Sequence, residues 1–83
     1  MDAPMPTILR ERGYRFMVFV DEPDEPAHVH VFKDDNAAKV RMDPVQVLVS
    51  RGFRAHELTE FLAIIESHKY ELITEYERIH GSK

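Results

Sequence analysis

Two histidines one residue apart, His28 and His30, are the side chains of this 83-residue chain best placed to do chemistry. They lie in segment 27–33, whose alternating apolar and polar residues are typical of a β-strand. Because side chains alternate across a strand, both imidazoles point to one face beside Phe32, and the valines between them point to the core. Two imidazoles on one surface can act as general base and general acid, or as two ligands of a metal ion.

A second predicted strand, residues 37–42, adds two cations to this face. Its apolar residues must lie in the core, since a slip of one residue would expose all of them, so Lys39 and Arg41 share the histidine face. A two-residue turn at Asp35-Asn36 satisfies this condition and sets His30 opposite Arg41. The candidate site therefore has four members, namely His28, His30, Lys39 and Arg41.

Three interpretations of this site remain open from the sequence. In the first, the histidines are structural or solvated. In the second, the face contacts an anion such as RNA and cleaves a phosphodiester, with Lys39 or Arg41 stabilising the developing charge. In the third, His28 and His30 ligate a metal. Two adjacent cations disfavour a divalent metal and favour an anion. We expect no cofactor, and sequence reasoning does not bring the other histidines near the pair, namely His56, His68 and His80.

Length and composition limit the classes of protein to consider. The chain has room for one domain, and 43% hydrophobic with 31% charged residues is typical of a globular protein. The absence of cysteine excludes disulfides and thiolate chemistry and favours the cytoplasm. No signal peptide or apolar stretch of about 20 residues is visible, so we expect no membrane association. The net charge of −4 argues mildly against general nucleic-acid binding.

The elements that must position the site follow from two periodicities. Short β-like segments are predicted at residues 7–10, 14–20, 27–33, 37–42 and 45–50, and a helical stripe over residues 54–80. Segment 45–50 is predicted as a strand because of its valines; a short helix capped by Asp43, with Pro44 at its first position, is the alternative. A kink is expected where His68 and Lys69 interrupt the stripe.

The predicted fold class is α+β, a small antiparallel β-meander of four to five strands packed against one long C-terminal helix. Residues 5–80 form the predicted domain, with residues 1–4 as an N-terminal extension and 81–83 as a tail. Segment 14–20 is apolar on both faces, and Met17 and Phe19 on its second face predict contact with a partner or a second subunit. The acidic, proline-punctuated segment 21–26 reads as a solvated loop, with a divalent-cation loop as the alternative.

Several sequence blocks also resemble a known bacterial family. They are Met5–Arg10, Gly13–Phe16, Glu25–Val31, Ala38-Lys39, Asp43–Val45, Arg51–Phe53, Glu57-Leu58 and Glu71-Leu72. Together they are similar to the domain of unknown function 4160 from Met5 to about Ile79, and Pro26-x-His28-x-His30 is the most specific block. The chain departs from the family where Arg41 stands in place of a common aromatic residue.

This resemblance implies little about chemistry but something about context. Genes of the family often lie beside a second small gene, in an arrangement similar to toxin–antitoxin pairs. We therefore expect a protein-interaction module that binds a small partner protein or a second copy of itself. The alternatives are a metal-independent, toxin-like ribonuclease using His28 and His30, and a His-x-His metal-binding protein.

Overall fold

A computed structural model of the protein describes residues 7–18 and 27–80. Within them, five antiparallel strands lie in the order β1-β2-β3-β4-β5 and two helices follow. The strands are β1 (Thr7–Glu11), β2 (Tyr14–Met17), β3 (His28–Lys33), β4 (Asn36–Met42) and β5 (Val45–Arg51), and the helices are α1 (Ala55–Ser67) and α2 (Lys69–His80). The predicted α+β meander is confirmed. The predicted extension, acidic loop and tail, and Phe19 of the predicted second strand, lie outside the described residues.

Local turn chemistry explains why the chain folds back at short intervals. Arg12 and Gly13 join β1 to β2 with positive φ angles of 56° and 86°, the backbone that a two-residue hairpin with right-handed strand twist favours. Asp43 and Pro44 form the turn between β4 and β5. Val45–Arg51 then pairs with β4, so strand is confirmed for this segment and the alternative of a short helix is wrong.

The register between β3 and β4 differs from the predicted one. The turn consists of Asp34 and Asp35 rather than Asp35-Asn36, and Asp34 adopts a φ of 55° that short polar side chains tolerate. The pairing shifts by two residues, so His30 lies opposite Lys39, and Arg41 lies opposite His28. A shift of two keeps every side chain on its predicted face, because the side-chain period of a strand is two.

Two bulges interrupt the otherwise regular ladders. Between β1 and β2 the register shifts between Thr7 and Leu9, and between β4 and β5 it shifts at Lys39 and Val40, where Leu48 has no partner in the ladder. Each bulge lies on an outer strand of the sheet, because β1 and β5 are its two edges. Leu48 is consequently 42% exposed.

The single long helix of the prediction is divided into two at His68. This residue has φ −115° and ψ 18°, outside helical geometry, and its N–H is shared by the carbonyls of Ile64 and Ile65 at 3.1 and 3.2 Å. Its ring nitrogens bond to two carboxylates, which accept: Nδ1 lies 2.8 Å from Glu71 Oε1 and Nε2 lies 3.0 Å from Glu11 Oε1 in β1. The break therefore falls where a kink was expected, and His68 ties the helix junction to the sheet.

One face of the sheet and the apolar stripes of both helices form the core. Its fully buried members are large aromatic or branched side chains that alternate along the strands and repeat along the helices, as both periods require. They include Tyr14, Phe16, Val29, Val31, Val40, Met42, Phe61, Ile65 and Leu72. The opposite face of the sheet, here called the helix-free face, carries the predicted site.

A candidate binding face on the sheet

Cross-strand pairing arranges the helix-free face in three rows that run across the strands. Directly paired residues share a face of the sheet, so the pairing fixes the members of each row. The first row is Arg10, Arg15, Phe32, Ala37 and Arg51; the second is Met17, His30, Lys39 and Val49; the third is His28, Arg41 and Gln46. The four predicted site residues thus share one face, in the second and third rows.

This face is basic along its length. Its three rows contain five Lys or Arg residues and two histidines but no Asp or Glu among the described strand residues. Arg10, Arg15 and Arg51 are exposed, and Lys39 and Arg41 are half-buried. The described strand residues of this face thus carry charge of one sign, opposite to the net charge of −4 of the whole chain.

The cations elsewhere in the described residues behave differently. Four of them pair with carboxylates: Arg12 with Glu60 at 3.0 Å, Lys33 with Glu57 at 4.0 Å, Lys69 with Asp43 at 3.3 Å and Arg78 with Glu75 at 2.6 Å. On the helix-free face, by contrast, no ion pair with a described residue involves Arg10, Arg15, Arg41 or Arg51. Arg15 instead lies over the Phe32 ring, 6.0 Å from its centroid.

The two histidines of the predicted site differ in exposure. His28 is 1% exposed, and its ring lies 5.5 Å from the ring of Tyr76, a core side chain of α2. His30 is half-buried, with its ring 5.3 Å from that of His28 and stacked at 14° on Phe32 at 6.4 Å. The two rings are close enough to contact one ligand, but only His30 is open to solvent in this structure.

The remaining histidines lie apart from the pair. His56 is exposed on the first turn of α1, and His68 is held between Glu71 and Glu11 at the helix junction. Hydrogen bonding to Glu71 and, further, to Glu11 raises the pKa of His68, against the opposing effect of desolvation. Among residues 7–18 and 27–80, no three His, Cys, Asp or Glu side chains converge on a point where a metal ion would bind.

A second polar cluster lies on the helical side of the sheet. The buried Tyr14 hydroxyl donates to Glu60 Oε1 at 2.8 Å, and Arg12 Nη1 donates to Oε2 of the same carboxylate at 3.0 Å. Burial, followed by the bond to Glu60, raises the pKa of Tyr14 well above its ordinary value, and the Tyr14 and Arg12 bonds lower that of Glu60. These contacts fasten α1 to the first hairpin and have the character of a structural anchor.

The profile of the Domain of unknown function (DUF4160) matches residues 13–77, most of the chain. The chain belongs to this family. No curated protein and no solved structure matches it. The match confirms the sequence resemblance, although the Met5–Arg10 block lies before the matched residues.

Sequence reasoning missed three arginines of this DUF4160 member that complete the basic face. Arg10 and Arg51 lie on the edge strands β1 and β5, and Arg15 lies on β2. All three belong to the first row. The signal was present in the alternation of β2, since Arg15 lies between the buried Tyr14 and Phe16. It was not used, because segment 14–20 was read as apolar on both faces. Its Phe19 lies outside the described residues.

No helix among the described residues of this DUF4160 member is long and apolar enough to cross a bilayer.

Proposed function

We propose that this protein is a small interaction module of a toxin–antitoxin-like gene pair and that it binds a small partner protein through the helix-free face. The single observation that supports this most strongly is a sheet face on which Arg10, Arg15 and Arg51 are exposed and lack ion pairs with described residues, while the opposite face is buried under two helices. Arginine is enriched at protein interfaces, and its planar head group suits carboxylate partners.

The edge of this face also carries apolar side chains. Val49, in the second row, is 55% exposed, and its neighbour Leu48 is 42% exposed. Apolar side chains beside a polar surface are typical of binding sites, in which a few buried anchors supply most of the affinity. Val49 is therefore the residue proposed to be covered when the partner binds.

The test measures binding of the product of the adjacent gene by isothermal titration calorimetry. We expect one-to-one binding that Val49→Glu weakens at least tenfold, because a carboxylate would be buried at the contact. The matched control is Tyr70→Glu, which changes an apolar residue that is 84% exposed on α2, outside the helix-free face. Absence of binding, or equal weakening by both variants, contradicts the proposal. Self-association at the same concentrations would indicate a second copy as the partner.

A second candidate function, ribonuclease activity, is favoured by one specific observation. The His28 and His30 rings are 5.3 Å apart, and Arg41 and Lys39 lie opposite them, so two acid–base groups and two cations adjoin on one face. His30 would act as general base or acid at a phosphodiester, and Lys39 would stabilise the charge that develops. Use of His28 would require the contact with Tyr76 to open, because His28 is 1% exposed.

Bacterial growth after induction of the chain alone tests this candidate. Growth arrest by the wild type but not by His30→Ala or Lys39→Ala, at equal protein levels, would support it, and cleavage of purified RNA would follow as the direct measurement. Normal growth with the wild type would leave the interaction module as the better supported function. The metal-binding alternative predicts stoichiometric metal in the purified protein that His30→Ala removes.

A further inference from the structure

We infer that the first row of the helix-free face binds an acidic, extended segment of the partner protein, with the segment lying across the strands. This inference rests on the proposed function, and it names the chemistry of the partner. The row places Arg10 and Arg15 on neighbouring strands and Arg51 on the far edge strand. All three are exposed, and none forms an ion pair with a described residue.

The spacing of the row indicates the length of the segment. Neighbouring strands lie about 4.8 Å apart, so the row spans about 19 Å, and Arg15 and Arg51, three strands apart, are separated by about 14 Å. An extended chain advances about 3.4 Å per residue, so carboxylates four residues apart match that separation. A segment of about six residues with Asp or Glu at alternate positions therefore meets both ends of the row.

The centre of the row can accept such a segment. Phe32 and Ala37 lie between Arg15 and Arg51, and both are half-buried. The Ala37 side chain is too short to rise far above the backbone of the sheet. Arg15 already lies over the Phe32 ring, which holds its guanidinium on this face. Restricted arginines lose less side-chain entropy on binding, which favours the bidentate contact with a carboxylate.

An acidic peptide fits the face better than a single-stranded nucleic acid does. Sheets that bind single strands stack bases on exposed aromatic side chains. The described residues of this face offer two rings open to solvent, Phe32 and His30, which are both half-buried and already stacked on each other, with Arg15 over Phe32. A long polyanion is also repelled by the net charge of −4 of the chain, whereas a short acidic segment interacts mainly with the cations next to it.

The test titrates the full chain with a ten-residue peptide that carries Glu at every second position, followed by amide chemical shifts and fluorescence anisotropy. The same peptide with Gln in place of Glu and a ten-nucleotide single-stranded RNA are the comparison ligands. We expect the acidic peptide to shift the amides of the first row, to bind more tightly than both comparison ligands, and to lose affinity as salt rises.

Two charge-matched triple variants then locate the contact. Arg10→Gln/Arg15→Gln/Arg51→Gln should weaken the acidic peptide about tenfold or more, whereas Arg12→Gln/Lys69→Gln/Arg78→Gln, with the same change in net charge, should not. Equal effects of the two variants, no acidic-peptide binding, or tighter RNA binding would each overturn the inference. Circular dichroism establishes that both variants are folded.

Measuring the same variants against the product of the adjacent gene separates the two proposals. If the partner binds and the first-row variant does not weaken it, the acidic-segment inference is wrong and the interaction module stands. If the partner does not bind the wild type, the proposed function is wrong, whatever the peptide does.

Discussion

His28→Ala should destabilise the protein far more than His30→Ala, although the two histidines are one residue apart and share a face. His28 is 1% exposed and packs against Tyr76, so its removal leaves a cavity between β3 and α2. Truncation of a large buried side chain costs about 2–4 kcal/mol in free energy of unfolding. His30 is half-buried, and its truncation should cost about 1 kcal/mol or less.

Urea unfolding followed by circular dichroism measures both values. For a chain of this size the whole stability is about 4–12 kcal/mol. With a urea m value of about 1 kcal/mol/M, His28→Ala should lower the midpoint by about 2 M or more. Equal midpoints for the two variants would refute the argument that the burial of His28 supports the fold.

The contact with Tyr76 can be tested separately by a double-mutant cycle. His28→Ala, Tyr76→Leu and the double variant should show a coupling free energy of about 0.5–1.5 kcal/mol, the range for a ring pair. Additive effects would show that the 5.5 Å ring contact contributes little. The result also governs functional work, because loss of activity in a His28 variant has to be separated from loss of fold, whereas His30→Ala tests chemistry more cleanly.

Three further predictions concern the scaffold. Tyr14→Phe removes the hydroxyl bond to Glu60 and should cost about 0.5–1.5 kcal/mol, a fall in Tm of several degrees by calorimetry; an unchanged Tm would contradict the anchor. Gly52→Ala should destabilise more than Gly13→Ala, because both have positive φ but only a Cβ at 52 would clash with a neighbour, the Asn36 side chain, whereas at 13 the nearest atom is Lys33 Cε at 3.5 Å. Urea midpoints in the reverse order would refute this. The raised pKa of His68 means that its stabilising contribution is full below the unfolded pKa of about 6.5 and is lost as pH rises through the folded pKa. The stability difference between wild type and His68→Gln should therefore shrink from about pH 6.5 upward, and a difference that grows with pH would contradict the prediction.

Much of the fold was predictable because alternation and helical spacing are local signals. The period of two placed His28, His30, Lys39 and Arg41 on one face, and it did so even though the predicted register was wrong by two residues. The register itself depends on which residue takes the positive φ in the turn. Asp34, Asp35 and Asn36 are all short polar residues that suit a turn, so the sequence did not distinguish them.

The burial of His28 was not predictable from its strand. Alternation tells which face a side chain shares, but not whether a distant element covers it, and Tyr76 lies 48 residues along the chain. The division of the helix was partly visible in the polar pair at His68 and Lys69. The hydrogen bond between His68 and Glu11 of the first strand, which lies at this break, is a long-range contact that local patterns do not report.

The two bulges have a consequence for how the molecule meets others of its kind. A straight outer strand offers a row of unpaired N–H and C=O groups to any neighbouring chain, which is a route to aggregation. Here each outer strand is bent by an extra residue, near Ile8 at one edge and at Leu48 at the other, so neither margin offers a regular template. Pairing of a strand from another chain is thereby disfavoured at both edges, and the face of the sheet between them is the surface better suited to binding.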